Sequence, residues 1–97
     1  MKNLQHLDEI DKILEKVRFL AKRKEKLYDG CRIQQSIKNC MFWTVEELGE
    51  VSTCLNRGRL EAAKAECLDL LHTGLILYRS IDTKIKQETP DENNSNS

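Results

Sequence analysis

The sequence predicts an all-α protein. Three observations carry that expectation: a single proline (Pro90) in 97 residues, only four glycines, and long runs in which apolar side chains recur every three to four residues, the period of an amphipathic helix. The expected architecture is a helical hairpin or bundle of three to four helices. The chain is long enough for one domain, expected over residues 1–87, and a chain this short builds a thin core. Homo-oligomerisation, as a homodimer or homotetramer, is therefore expected to complete that core.

The first segment carries its stripe at Leu4, Leu7, Ile10 or Asp11, Leu14, Val17, Ala21 and Lys24 or Leu27. Asp29-Gly30 then offers a helix stop. The basic run Lys22-Arg23-Lys24, with Lys26, is interrupted by Glu25 and reads as a solvated helix face. A second segment, from about Arg32 to Arg57, aligns Ile33, Ile37, Cys40, Thr44, Glu47, Val51 and Cys54, widened by Met41, Val45, Leu48 and Leu55. Gly58 suits the C-terminal cap of that helix. The third segment starts near Leu60 and carries Ala63, Cys67, Leu70, Leu71, Leu75, Tyr78, Ile81 and Ile85. Gly74 is its soft point, where a break would make two helices of one. From Glu88 onward no residue suits a core, and residues 88–97 are expected to form a disordered polar tail.

Composition narrows the function classes. One third of the residues are charged and the formal net charge is zero, without the basic bias of a protein that binds nucleic-acid polymers. The four cysteines, Cys31, Cys40, Cys54 and Cys67, include no C-x-x-C pair, so a zinc site is not indicated. Met1 to Lys12 is mostly polar and no stretch approaches a membrane span. A cytoplasmic protein with reduced thiols is the expectation.

One acid is out of place. Glu47 falls inside the apolar stripe of the second segment, where an unpaired buried charge costs several kcal/mol. It belongs to two i, i+3 pairs, Glu47/Glu50 and Glu66/Asp69, placed symmetrically about Gly58. With Gly58 as the turn of an antiparallel hairpin, Glu50 faces Glu66 and Glu47 faces Asp69, so all four converge. Four like charges repel unless something positive lies between them. A hard divalent cation, which takes oxygen ligands, is the economical filling.

The spacing is itself a motif. Glu46-Glu47-Leu48-Gly49-Glu50, fifteen intervening residues and Glu66-Cys67-Leu68-Asp69 read as E-E-x-x-E followed by E-x-x-D. This resembles the signature of the MazG-like all-α nucleoside triphosphate pyrophosphohydrolases, over roughly residues 30 to 85. The resemblance implies cleavage of the α–β phosphate bond of a nucleoside triphosphate to monophosphate and pyrophosphate. It implies magnesium as cofactor, with manganese as a possible substitute. Glu47, Glu50, Glu66 and Asp69 would be the metal ligands, and Glu46 would act beside Glu47 and Glu50 in the catalytic group. Many relatives carry an aromatic or amide residue four places after the aspartate, where this chain has Thr73.

Trp43, one turn before Glu47, is a candidate for stacking on a nucleobase. Lys38, Asn39 and Lys64 are candidates for contact with base or phosphate, each against the simpler reading of a surface position. Arg57 and Arg59 flank the turn and suit helix-dipole compensation. Two other functions fit parts of the sequence. Asp69-Leu70-Leu71-His72 is a D-x-x-H, reminiscent of carboxylate-bridged di-iron bundles, although helix phase turns His72 away from Glu66. The charge-rich, heptad-like first segment also fits a non-catalytic helical interaction module.

Overall fold

The computed structural model describes residues 2–28 and 36–88, and the side chains of residues 5–25 and 36–88. These residues form three helices, α1 (Lys2–Tyr28), α2 (Ile37–Asn56) and α3 (Leu60–Glu88). Among the described residues there is no strand, and the all-α expectation is met. The expected stop at Asp29-Gly30, the thiol Cys31 and the tail beyond residue 88 lie outside the described residues. Glu88 itself is still helical.

The second helix begins later than about Arg32. Ser36 is extended (φ −65°, ψ 157°) and its Oγ accepts a hydrogen bond from the Asn39 backbone N–H at 3.2 Å. That is an N-cap, satisfying a donor that the first turn leaves without a partner. Gly74 does not interrupt α3, which runs unbroken past it. Hydroxyls within the helices are satisfied locally: Thr44 Oγ1 donates to the Cys40 carbonyl at 2.8 Å and Thr73 Oγ1 to that of Asp69 at 3.0 Å.

Arg57, Gly58 and Arg59 make the connection between α2 and α3. Gly58 has φ +70°, the left-handed conformation that glycine adopts without Cβ strain. Its N–H donates to the Leu55 carbonyl at 3.1 Å, and the Arg59 N–H to that of Cys54 at 2.9 Å. These two bonds are a Schellman cap. Arg59 in turn accepts from the Ala63 N–H at 2.9 Å, so α3 starts immediately.

α2 and α3 pack antiparallel along their length, and α1 packs against α3. The core is thin, as expected. Among the described residues Val17, Cys40, Val51 and Ala63 are its buried apolar members, and Thr73 and His72 are buried too. Cys40 Sγ and Ser80 Oγ meet at 3.5 Å across α2 and α3. Cys40, Cys54 and Cys67 are free thiols. No described helix is long and apolar enough to cross a membrane.

Candidate metal centre

The turn at Gly58 folds the two acid pairs onto each other. Glu47 on α2 and Glu66 and Asp69 on α3 bring one carboxylate oxygen each within 4.8 Å of one another. Glu50 lies beside them, close enough to exchange a hydrogen bond with both Glu47 and Glu66. Glu50 is the exposed member and the other three are half-buried. Helix phase on its own makes Asp69 the most open of the four; the order is reversed because α1 lies over α3 and covers it.

The electrostatic cost is visible at two positions. Two unit charges at about 4.8 Å repel by about 3 kcal/mol at an effective dielectric of about 20. A proton held between carboxylates relieves this. Hydrogen bonding to Glu50, with burial and the nearby charges of Glu50, Asp69 and Glu47, pushes Glu66 up to about 7. Burial first, then the charges of Glu50 and Asp69, raises Glu47 as well, against the lowering influence of Lys24.

Lys24 is the residue that sequence reasoning missed. Its Nζ lies 2.9 Å from Asp69 Oδ1, and both side chains are largely buried. The run Lys22-Arg23-Lys24 is therefore not a uniformly solvated face: Lys22 and Arg23 are exposed and Lys24 turns inward. A signal was present, since Lys24 falls in the apolar stripe of α1 as Glu47 does in that of α2.

Among the described residues the ion pair of Lys24 is with Asp69, and its charge also acts on Glu47. Glu47 Oε2 and Glu66 Oε2 are both buried with no hydrogen-bond partner. Buried carboxylate oxygens seldom go unsatisfied, and an oxygen-only donor set suits magnesium or manganese. The residues present fit such an ion.

No protein-family model, curated protein or solved structure matches this chain. The reading of the centre thus stands on its own residues.

The other candidates are placed unevenly. Glu46 is exposed, about 40° round α2 from Glu50. Trp43 is half-buried one turn before Glu47 and faces the same side of α2. Asn39 is exposed in the first turn, its N–H engaged by the Ser36 cap. Lys38 is exposed, with its Nζ 6.0 Å from the Phe42 ring centroid, about 180° round the helix from Glu47. Lys64 is exposed and about 200° round α3 from Glu66. Lys38 and Lys64 are thus not brought to the acids. His72 is buried on α3 outside the carboxylate group. An open groove of about 600 Å³ runs along α1, lined by Lys12, Glu15, Lys16, Phe19, Leu20, Arg23 and Leu68, and it includes none of Glu47, Glu50, Glu66 and Asp69.

Proposed function

We propose that this chain is a magnesium-dependent nucleoside triphosphate pyrophosphohydrolase, cleaving the α–β phosphate bond to give a nucleoside monophosphate and pyrophosphate. One observation carries the reading: two helices deliver Glu47, Glu66 and Asp69 to one point, with Glu50 alongside, and leave two buried carboxylate oxygens unpartnered. The E-E-x-x-E and E-x-x-D spacing that produces this point resembles the MazG-like motif.

Glu47, Glu66 and Asp69 would hold the ion, with Glu50 completing the set from the open side. Bound there, the ion would neutralise phosphate oxygens and acidify a water. Glu50, exposed beside the half-buried carboxylates, would be the group suited to accept a water's proton, with exposed Glu46 about 40° further round α2. Trp43, on the same side of α2, is the group suited to a base. Clearance of surplus or non-standard nucleotides is the role such an activity would serve.

The test is product analysis on a nucleotide panel with magnesium. Pyrophosphate together with monophosphate is expected; orthophosphate, or no turnover, counts against the assignment. Glu47→Gln should abolish turnover while leaving the far-ultraviolet circular dichroism unchanged.

A non-catalytic helical oligomerisation module is the second reading. It is favoured by Lys24, which already neutralises Asp69, and by the many large apolar side chains left exposed. In that case substituting the acids would change stability or assembly and nothing chemical.

A further inference from the structure

Where α1 packs on α3 it leaves a groove on the side turned away from the carboxylates. Leu68 is the α3 residue of its lining. It follows Glu66 by two positions and so points about 160° away from it round the helix. On α1, Phe19 precedes Lys24 by five positions and points about 140° away from it. Lys24 is the α1 residue that meets Asp69, at 2.9 Å. The metal centre and the groove therefore lie on opposite sides of the α1–α3 contact, and they share no residue.

The lining combines a small apolar part with an excess of positive charge. Leu20 and Leu68 are half-buried, while Phe19 is 66% exposed and keeps most of its ring open to a ligand. Lys12, Lys16 and Arg23 are set against one acid, Glu15. Among the described residues none of these three cations is in an ion pair, whereas Lys24, Lys84 and Lys86 each have one. Lys12 and Lys16 are one turn apart, and like charges at that spacing destabilise a helix unless an anion lies over them. The groove measures about 600 Å³, inside the range of about 300–1,000 Å³ usual for small-molecule pockets. Three apolar side chains are too few to supply the roughly 800 Å² that each partner gives a standard protein interface. The fit is to a small ligand.

We propose that this groove is a second anion site, for a small phosphorylated molecule that carries a flat ring. The ring stacks on Phe19 and the phosphates lie over Lys16 and Lys12. These two lysines precede Phe19 by three and seven positions, about 4.5 and 10.5 Å along the axis. A ligand with its ring on Phe19 and its phosphates directed toward the start of α1 therefore meets both. Arg23, one turn in the other direction, carries a planar guanidinium that stacks on the same ring. A nucleotide has this chemistry, since bases stack on aromatic side chains and phosphates take charged hydrogen bonds from lysine and arginine. The countercharge comes from the protein, so no divalent ion is needed. The site is independent of the hydrolase reading and stands or falls without it.

Isothermal titration calorimetry of the full chain with ATP tests this, in chelator, which removes both the metal and any turnover. ATP is expected to bind with a dissociation constant below about 1 mM, and adenosine and inorganic triphosphate each several-fold more weakly. Phe19→Ala should weaken ATP at least about fivefold, as for loss of one stacked base, and leave inorganic triphosphate unchanged. Phe19→Tyr should retain ATP binding, a rescue that separates the ring from any effect on folding. Lys16→Glu should weaken ATP and inorganic triphosphate alike, by about threefold or more. Glu47→Gln, on the far side of the α1–α3 contact, should leave binding in chelator as it is. No binding of ATP at about 1 mM, an unchanged affinity in Phe19→Ala, or inorganic triphosphate binding as tightly as ATP overturns the proposal. So does loss of this binding in Glu47→Gln, or much tighter binding of a single-stranded RNA oligomer or an acidic helical peptide.

Discussion

Replacing Glu66 by glutamine should stabilise the metal-free protein, and only at high pH. The Glu66 carboxyl is raised from 4.5 to about 7, through hydrogen bonding to Glu50, burial and three neighbouring negative charges. Its contribution to stability is fully present below pH 4.5 and is lost as pH rises through about 7, because the folded state then gives up a proton that it holds more tightly than the unfolded chain. At about 1.4 kcal/mol per pH unit, that interval corresponds to on the order of 3 kcal/mol. Glu50, on the solvent side of the group, allows screening, and a net effect of about 1–3 kcal/mol is expected. Glutamine copies the protonated acid in shape and hydrogen-bonding capacity without ever ionising. Urea unfolding followed by far-ultraviolet circular dichroism, in chelator and at fixed protein concentration, should show the variant more stable than the parent at about pH 8 and equal to it at about pH 4. Equal or lower stability at about pH 8 would refute the electrostatic account of the cluster. The same coupling predicts that manganese binds the parent about tenfold more weakly for each pH unit below about 7, since the ion must displace the proton.

Three further outcomes follow from particular residues. Lys24→Gln removes a cation from the centre, so calorimetric titration should show tighter manganese binding, while chemical denaturation in chelator should show a less stable fold. An unchanged manganese affinity would mean that the Lys24–Asp69 pair does not compete with the ion. Gly58→Ala forces an L side chain into φ +70° and should lower stability by about 1–2 kcal/mol in denaturant titration. Gly49→Ala should act in the opposite direction by about 0.5–1 kcal/mol, since Gly49 is a mid-helix residue whose added Cβ meets nothing within 4 Å.

Much of the fold was legible because helices declare themselves through local periodicity, and this chain has little else. The Gly58 turn and the start of α3 at Leu60 could be read directly. The start of α2 could not: Ile33 continues the apolar stripe, and only the extended Ser36, whose hydroxyl caps Asn39, sets the boundary. Within the site, helix phase brought Glu47, Glu66 and Asp69 together correctly, because their placement depends on one short turn. It failed for Lys24, whose neighbours disguise it as part of a charge run, and for the relative exposure of Glu50 and Asp69. Both depend on where α1 lies, a long-range contact that no local pattern encodes. Lys38 and Lys64 were drawn in by closeness in sequence, which on a helix is a poor guide to direction.

The tight cap at Arg57-Gly58-Arg59 has a consequence for how the centre comes into being. Glu47 and Asp69 are only 22 positions apart in sequence, with most of the intervening chain already helical. Closing so short a segment costs little chain entropy, and contacts of low sequence separation form early. The carboxylates can therefore assemble with the first hairpin, before α1 docks and brings Lys24. The same economy makes the centre intolerant of length change. One residue inserted into the first turn of α3, between Leu60 and Glu66, would turn Glu66 and Asp69 by about 100° relative to the cap and advance them about 1.5 Å, carrying them away from Glu47 while leaving every helix intact.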